Sequence, residues 1–598
     1  MGAYLIIPAL LAATAAVPPV EYKFEIARDT GTIYNPWTLS DDKVELRAFR
    51  GTGTKSGDFV APTIRVAPGQ RLTINFDNKL EPCTAKQLAD QACFNDTNLH
   101  THGLWVSPSG SSDNVLISIP PGAGHRYVYD IPADHPAGTF WYHPHHHGNG
   151  FVQVGSGMAG ALIVTGDRAP TTTSPGDIDI LLKDERGKPF AERVMIFQQI
   201  SYGCLDDKGG IEVQLDEHKD YVRPFTCKPG EVGRIESFDN DWDWQQSGRF
   251  TGINGKVQPT LTPARVGAFE RWRLIHAGTG ERIHLKLYRL EPAAPLLRAV
   301  KAADQSEWMR RYCTGAALPM WQIAMDGLTR STVRRIDNAV LFPGERVDVL
   351  ARLPQPGRYC LVQDTSRNDP DHKNPSRMLT VIEARGASGP AVDPDALLKA
   401  DFIASAERAL ASSGQESVRA RVVGDLRDDM KLSSFVWHHS ITDQEVSGYR
   451  EAILNIIDTP TDSLFRVNGR TYDHDRIDQV LPLGKAEEWR VVSLAENHPL
   501  HIHVNPFQIV SITDAQGRDV TDPKSPAFDP DYEGLKGEWK DTIMVKQDDR
   551  IAFRTRYERF TGDFVIHCHI MYHGDHGMMQ NLRIAAEPGQ APAMHAAH

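Results

Sequence analysis

The sequence contains no run rich in Lys and Arg, and its 65 basic residues are outnumbered by 77 acidic ones, which gives a formal net charge of −12. This balance disfavours a nucleic-acid partner, because such a partner requires a basic surface. Beyond the first seventeen residues no stretch is long and apolar enough to span a bilayer, so we expect no membrane span. A chain of 598 residues with 40% apolar and 24% charged residues is typical of a globular protein of several domains.

The N-terminus carries the one long apolar segment, MGAYLIIPALLAATAAV at residues 1–17. It ends in small residues, and Ala13-Thr14-Ala15 fits a cleavage site, so we predict a secretory signal peptide. The basic residues that usually precede the apolar part are missing, and a buried N-terminal strand is the alternative. A signal peptide predicts a secreted or periplasmic protein.

Cysteine is scarce, with seven residues in the chain. Six of them lie outside the histidine-rich C-terminal segment, and an even number beside a signal peptide favours disulfides in an oxidising compartment. Proximity in sequence suggests the pairs Cys83/Cys93, Cys204/Cys227 and Cys313/Cys360, although the spacing does not prove the connectivity. Buried thiols are the alternative.

Helical periodicity is also rare, and the chain reads as all-β. In RLTINF (71–76) the apolar residues alternate with polar ones, and RVDVLARL (346–353) repeats the pattern. Each run follows a Pro-Gly turn, as expected for short antiparallel strands. The exception is a segment rich in Ala, Leu, Glu and Arg, and we predict a helical connector at 386–430.

Two segments recur three times along the chain, which indicates three similar β domains at 22–168, 169–385 and 431–588. Short antiparallel strands in this number are typical of Greek-key β-sandwiches. The middle copy has Val362 and Asp364 where the outer copies have His-x-His. The first repeat is NLHTHGL (98–104), ERWRLIHAGTGERIHLKL (270–287) and EEWRVVSLAENHPLHIHV (487–504), and the second is GTFWYHPH (138–145), GRYCLVQD (357–364) and GDFVIHCH (562–569).

The segment HCHIMYHGDHGMM (567–579) concentrates soft metal-binding side chains. One Cys, two His and a weak axial Met form the blue-copper ligand set. Cys568, His573 and Met578 can supply three of these ligands from one loop, and His498 is the candidate for the fourth. The first domain has Thr97 and Pro144 at the positions equivalent to His498 and Cys568, so we expect one such site, in the third domain.

Four His-x-His pairs remain, and neighbours two apart on a strand project to the same side. Eight imidazoles exceed the four ligands of an ordinary zinc site, so they predict a cluster of about three ions between the outer domains. If 564–570 is a strand, Cys568 faces away from His567 and His569, and one strand serves two metal sites. The pairs are His100/His102, His143/His145, His501/His503 and His567/His569.

The motifs HTHG, WYHPHHHG, HPLHIH and HCHIMYHGDHGM resemble those of the multicopper oxidases, which include laccases, ascorbate oxidases and bacterial cuprous oxidases. The resemblance covers all three domains. It implies three cupredoxin-like domains and four copper ions. It also implies one-electron oxidation of a small reducing substrate, coupled to reduction of O₂ to water.

The resemblance also implies which residue holds which copper. His573 would be the ligand nearest the surface and would receive the electron, which Cys568 would pass through its two neighbours. The implied sets are His498, Cys568, His573 and Met578 for type 1, His100 and His501 for type 2, and His102, His143, His569 and His145, His503, His567 for the two type 3 ions. The choice of Met578 over Met579 rests on the family spacing.

Relatives place carboxylates three or six residues after the Cys, where this chain has Met571 and Gly574. Asp575 is a candidate substitute, and Asp113 resembles a carboxylate that the family sets near the type 2 copper. We therefore name both as candidate proton-relay residues, with an ordinary loop Asp as the alternative for Asp113.

His146 and His147 are not required by the pattern; we expect them to be solvated, and hydrogen bonding to the cluster is the alternative.

The reducing substrate is left open by the motifs. The 13 Met residues are scattered, with one adjacent pair, which favours phenols or aromatic amines over a cuprous ion. A copper-binding or resistance protein is the alternative from another class, although storage does not need a cysteine joined to a cluster. A copper nitrite reductase is disfavoured, because four His pairs exceed its needs. We expect a monomer.

Overall fold

The computed structural model describes residues 18–586, except 86, 88–92, 206–226, 236–243, 245–246, 365–375, 390–391, 413 and 461–462. The predicted signal peptide at 1–17 therefore lies outside the described residues.

Strands dominate the described chain, as the alternating pattern predicts. The first group is β1 Val20–Asn35, β2 Ser40–Gly51, β3 Ile64–Val66, β4 Arg71–Asn78, β5 His100–His102, β6 Gly124–Asp130, β7 Gly138–His143 and β8 Gly160–Val164. The second is β9 Ala191–Gln198, β10 Gly203–Leu205, β11 Val232–Arg234, β12 Gly252–Ile253, β13 Ala264–Arg265, β14 Phe269–His276, β15 Ile283–Leu290, β16 Cys313–Thr314, β17 Met320–Met325, β18 Leu328–Ile336, β19 Ala339–Leu341, β20 Arg346–Arg352, β21 Gly357–Gln363 and β22 Arg377–Arg385. The third is β23 Val446–Asp458, β24 Ser463–Val467, β25 Ile477–Pro482, β26 Ala486–Ser493, β27 His498–Ile502, β28 Phe507–Thr513, β29 Trp539–Lys540, β30 Thr542–Val545, β31 Arg550–Arg556, β32 Gly562–Cys568 and β33 Met579–Ala585.

These strands form three pairs of sheets, and each pair encloses an apolar core. The first pair has the orders β10-β11-β2-β1-β4-β6 and β3-β8-β7-β5, the second β12-β9-β14-β20-β17-β18 and β13-β22-β21-β15-β16 (with β19 also beside β15), and the third β24-β23-β26-β31-β28-β29 and β25-β33-β32-β27-β30. The same relationship recurs in each pair: β1 is parallel to β4, β9 to β14 and β23 to β26. The threefold repeat and the all-β prediction are thereby confirmed.

The strands β10 and β11 depart from the predicted division of the chain. They lie within 169–385, yet Gly233 of β11 pairs with Val44 and extends a sheet of the first group. The disulfide Cys204–Cys227 joins β10 to a residue shortly before β11. The sheets of the first two groups are therefore not separated cleanly at residue 169, because this excursion returns to the first group.

Helices are short and few among the described residues, as predicted for an all-β chain. They are α1 Gly150–Gly155, α2 Ala302–Tyr312, α3 Pro394–Ala409, α4 Glu416–Arg427 and α5 Met571–Asp575. The predicted helical connector is confirmed as α3 and α4, and Leu398 and Phe402 of α3 pack in one buried cluster with Leu350 of β20. None of the described helices is long and apolar enough to cross a membrane.

The three expected disulfides, Cys83–Cys93, Cys204–Cys227 and Cys313–Cys360, are present. Cys568 stays outside them and is buried. The cysteine of the histidine-rich segment is therefore kept as a thiol.

Candidate metal centre

The end of β32 and the loop after it bring together Cys568, His498 and His573. The Cys568 Sγ lies 3.6 Å from His498 Nδ1 and 3.8 Å from His573 Nδ1, and these two nitrogens are 3.1 Å apart. All three side chains are buried. Two imidazole nitrogens and one thiol on a common centre fit the blue-copper set that the sequence predicts.

Local structure orients this mononuclear site. The pairing of β27 with β32 places Leu500 opposite Cys568, so His498 at the start of β27 lies beside the end of β32. The His498 Nε2 lies 2.7 Å from the carbonyl oxygen of Ala495. A carbonyl can only accept, so Nε2 carries the proton and Nδ1 faces the thiol as an acceptor.

The two adjacent methionines occupy different surroundings. Met578 is fully buried in the same apolar cluster as Cys568. Met579 packs with Val115 and Val565 in another cluster. The structure therefore favours Met578 as the thioether beside Cys568, because successive side chains of an extended chain point to opposite sides.

The four His-x-His pairs converge between the first and third groups of strands. β5 pairs with β7, which sets His100 opposite His143, and β27 pairs with β32, which sets His501 opposite His567. The two halves meet face to face: the rings of His100 and His503 stack at 3.8 Å, and those of His102 and His501 at 3.7 Å. The remaining members, His145 and His569, contact the rings of His567 and His102 at 4.7 and 5.0 Å.

The nitrogens that face the centre of this cluster fit metal ions. The His567 Nε2 lies 3.1 Å from His145 Nε2 and 3.3 Å from His503 Nε2, and these three side chains can share one ion. On the other side His569 Nε2 lies 3.3 Å from His102 Nδ1. The buried Nε2 atoms of His100, His143 and His501 have no hydrogen-bond partner among the described residues. Such unpartnered buried atoms are costly in a protein unless a ligand satisfies them.

Oxygen atoms outside the cluster fix the opposite ring nitrogens. In each case an oxygen lies 2.8 or 2.9 Å from Nδ1, which leaves Nε2 as the lone-pair donor toward the centre. The pairs are His100 with Asp113 Oδ2, and His143, His501 and His567 with the carbonyls of Pro144, Asp541 and Cys568.

Burial holds these histidines in the neutral form that a metal ion requires. Desolvation, reinforced by neighbouring imidazoles, lowers the pKa of His143 and His498 to about 3. Burial lowers the pKa of His567 to about 4. The pKa values of the other six cluster histidines lie well below the usual range for the same reasons; they are His100, His102, His145, His501, His503 and His569.

The two candidate carboxylates occupy different places. Asp113 contacts the cluster through His100, and burial raises its pKa to about 7. Asp575 accepts hydrogen bonds from the main-chain N–H groups of Gly148 and Phe151, and burial raises its pKa to about 7. Asp575 therefore holds the loop after the His143/His145 pair against α5. His147 is exposed, whereas His146 is half-buried, with its Nδ1 3.3 Å from Asn149 Nδ2.

Sequence reasoning missed Asp541, which precedes β30. Its Oδ1 lies 3.5 Å from His102 Nε2 and 3.6 Å from His501 Nδ1, and it accepts a hydrogen bond from the hydroxyl of Thr542 at 2.8 Å. No motif marks this residue. Its place behind the cluster follows from strand register, since Thr542 pairs with His501 across β27 and β30, and no local sequence pattern indicates that register.

A cavity of about 470 Å³ lies between the second and third groups of strands. It is separate from the histidine cluster, but Glu345 and Lys540 line it. Lys540 Nζ contacts Glu345 and Asp326 at 3.0 Å each. The cavity therefore ends one residue away from Asp541.

Comparison with known proteins agrees with this geometry. Two family models, both described as multicopper oxidase, match residues 46–169 and 445–588, the two parts of the chain that supply the histidine pairs. The chain belongs to the multicopper oxidase family. It is 20% identical over 563 residues to the multicopper oxidase mco of Staphylococcus aureus, covering 92% of this chain and 89% of that one. It is 28% identical over 473 residues to a laccase of Bacillus subtilis, covering 77% and 73%.

Solved multicopper oxidases share the fold. One from Campylobacter jejuni, described as a metallo-oxidase, superposes with a TM-score of 0.58 at 19% identity, covering 96% of this chain and 94% of that one. A laccase-like multicopper oxidase from Ochrobactrum sp. gives 0.57 at 17% identity, covering 96% and 100%. These structural likenesses show the shared fold. The two family models identify the chain as a copper oxidoreductase that uses O₂ as acceptor.

Proposed function

We propose that this oxidase takes single electrons from a small organic reductant at the mononuclear site and uses four of them to reduce O₂ to water at the histidine cluster. The observation that carries the proposal is the sequence His567-Cys568-His569. The thiol faces His498 and His573, whereas its two neighbours face the cluster histidines. The main chain joins Cys568 directly to His567 and to His569, and so offers electrons a covalent path about one residue long from the thiol to the cluster on each side.

Four copper ions suit this donor set, and copper supplies the one-electron redox changes and the reduction of O₂ when bound. The residues of the chain hold and orient the ions: Asp113 and the carbonyls behind the rings fix which nitrogen is offered. We assign the ligands as the family pattern implies. Type 1 takes His498, Cys568, His573 and Met578, type 2 takes His100 and His501, and the type 3 ions take His102, His143, His569 and His145, His503, His567.

Aromatic side chains cover the mononuclear site, which supports an aromatic reductant. His573 is fully buried, and the ring of Phe465 lies against it at 4.8 Å. Tyr572 and exposed His576 stack at 3.9 Å beside Phe465. Phenols and aromatic amines can stack on such rings, and the electron then enters through this aromatic layer instead of by direct contact with His573.

A cuprous ion is the second candidate substrate, and one observation favours it. His474 and His576 lie near His147 and, after burial and His146, contribute to lowering the pKa of His147 to about 4. His147 is crowded by its neighbours, but residues 147, 474 and 576 all reach solvent, so their imidazoles could receive a soft cation at the surface.

We further propose three cupredoxin-like units at 22–168, 169–385 and 431–588, with the connector at 386–430, and with β10 and β11 of the second range added to a sheet of the first unit. The three disulfides support a secreted or periplasmic location. A monomer is proposed because one chain supplies all four histidine pairs.

The test combines copper content per chain, the visible spectrum, and O₂ consumption with a phenol and then with Cu⁺. About four copper ions, a blue band and O₂ consumption with the phenol are expected. Consumption with Cu⁺ alone would select the second candidate. A blue protein that consumes O₂ with neither would instead be a copper-binding protein.

His102→Ala separates the two proposed sites. It should lower copper in the cluster and stop O₂ consumption while the blue band remains, because His102 does not contact Cys568. His135→Ala is the matched control, since His135 is equally buried but contacts Trp105 and Pro136 rather than the cluster. Loss of the blue band in His102→Ala but not in the control would contradict two separate sites.

A further inference from the structure

The turn between β19 and β20, residues 342–345, brings the middle group of strands to the histidine cluster. Gly344 has a φ of +90°, and a Cβ there would lie 2.8 Å from the ring of His569. The backbone of this turn therefore lies directly against a cluster histidine, although the middle domain has no His-x-His pair of its own.

Arg346 follows the turn and has no solvent exposure. Its Nη1 donates to Asp541 Oδ1 at 2.8 Å and its Nη2 to Asp541 Oδ2 at 2.5 Å, a two-pronged ion pair. It also donates to the carbonyls of Asp326 at 2.9 Å, Gly344 at 3.0 Å and Thr139 at 3.3 Å. One guanidinium thus makes hydrogen bonds within all three groups of strands and the turns that connect them.

Asp541 passes this constraint to the cluster. Its carbonyl lies 2.8 Å from His501 Nδ1, and its carboxylate lies 3.5 Å from His102 Nε2. The carboxylate also accepts at 2.8 Å from the Thr542 hydroxyl, whose oxygen lies 3.3 Å from His102 Nε2. Both ring nitrogens face away from the cluster centre, so the position of Asp541 sets how the opposite nitrogens are aimed.

The space for this ion pair is created by Gly103, the residue after His102. Gly103 has a φ of +82°, and a Cβ there would collide with both Arg346 and Asp541. The main chain next to a cluster histidine therefore touches the ion pair directly. Lys540 balances the charge nearby, since it contacts Asp326 and Glu345 at 3.0 Å each.

We propose that Arg346 is a positioning residue for the copper cluster. Through Asp541 it fixes the rings of His102 and His501, so the middle domain controls the geometry of a centre to which it gives no ligand. This rests on the proposed function, because it takes those histidines as copper ligands. Lysine cannot replace Arg346 fully, because an ammonium group lacks the planar fork that donates two parallel hydrogen bonds to a carboxylate.

The test uses purified full-length Arg346→Gln, Arg346→Lys, Asp541→Asn and the double variant Arg346→Gln/Asp541→Asn, each loaded with copper. The readouts are copper per chain, the blue band, the type 2 electron paramagnetic resonance signal, and O₂ consumption. Arg346→Gln should keep the blue band, alter the type 2 signal and lower cluster copper affinity or O₂ consumption by about 10- to 100-fold. Arg346→Lys should recover part of the loss.

Arg193→Gln is the matched control. Arg193 forms a similar two-pronged pair with Glu270 at 2.6 and 3.0 Å, but that carboxylate accepts from Trp272 and contacts no cluster histidine. It should leave the type 2 signal unchanged.

Coupling distinguishes positioning from general stability. If Arg346 acts through Asp541, cluster copper and O₂ consumption should be little lower in the double variant than in Asp541→Asn alone. The proposal would be overturned if the fold losses of the two single variants multiplied in the double variant. An unchanged type 2 signal in Arg346→Gln would also overturn it. Equal loss of the blue band and of cluster copper would also overturn it, because a purely structural role predicts that result. A wild-type protein without cluster copper would reject the proposed function itself.

Discussion

Asp113 and His100 form a hydrogen bond that is buried on all sides: Asp113 Oδ2 lies 2.8 Å from His100 Nδ1. The other oxygen, Oδ1, accepts from the main-chain N–H of Thr101 at 2.7 Å and from its hydroxyl at 2.9 Å. The carboxylate is therefore fully engaged, and it links the main chain of β5 to the ring of its first histidine.

Asp113→Asn should slow reoxidation by O₂ by about 10- to 100-fold, because an amide offers one acceptor where the carboxylate serves three donors. Reduction of the blue band by substrate should be unchanged, since Asp113 does not contact Cys568. Rapid mixing measures the two half-reactions separately. Asp96→Asn is the control, because the Asp96 carboxylate accepts from Ser118 instead of a cluster histidine. Equal reoxidation rates in wild type and Asp113→Asn would remove Asp113 from the mechanism.

Cys568→Ser should abolish the blue band and reduce turnover to background. A hydroxyl is a poor copper ligand compared with a thiolate, and the electron path begins at this sulfur. The histidine cluster should still bind copper, because its nitrogens are arranged by other contacts. Copper content and the visible spectrum check the result. A serine variant that stays blue would refute the assignment of Cys568 to the type 1 site.

Met578→Leu should keep the blue colour and raise the reduction potential of the mononuclear site, since the axial ligand tunes that potential. The exchange conserves volume and should cost less than about 1.5 kcal/mol of stability. Redox titration of the blue band measures the potential. Met579→Leu is the control, because Met579 packs in a different cluster from Cys568. The reverse result, with the shift in Met579→Leu, would exchange the two assignments.

Stability should depend on pH through Asp401 of α3. Burial, with Asp184 and Glu185 nearby, raises its pKa to about 6. This is above the value of about 3.9 for the unfolded chain, so the folded chain holds an extra proton between these values. Its contribution is favourable below about pH 4 and is lost as the pH rises through about 6.

Asp401→Asn should therefore melt at a higher temperature than wild type at pH 7.5, by about 2–4 °C for a gain of about 1 kcal/mol after allowance for solvent screening. At pH 4 the two proteins should melt together. Thermal melts at both values check this. Asp548→Asn, at an exposed turn, is the control and should melt at the wild-type temperature at both pH values. A higher melting temperature for Asp401→Asn at pH 4 but not at pH 7.5 would contradict the raised pKa of Asp401.

The residues that converge on the two candidate sites could be predicted because their spacing is local. His567, Cys568 and His569 follow one another, and strand alternation directs neighbours to opposite sides. The three disulfides were likewise suggested by proximity in sequence. The helical connector showed a composition unlike that of the strands around it.

Asp113 was named from its motif, but two other residues behind the cluster could not be predicted in this way. Asp541 and Arg346 are 195 residues apart and meet through the packing of three domains. Alternation tells which side of a strand a residue faces, but not which strand lies opposite. The same limit applies to β11, whose pairing with Val44 no local pattern indicates.

The order of the cysteines along the chain has a consequence for folding. The disulfides close loops with sequence separations of 10, 23 and 47, and all precede Cys568. Short loops close at low entropic cost, so a chain that enters an oxidising compartment from its N-terminus can pair these six thiols before Cys568 arrives there. Cys568 then enters a buried strand end. The order in which the cysteines enter that compartment would thus protect Cys568, which must remain a thiol to bind metal, from mispairing.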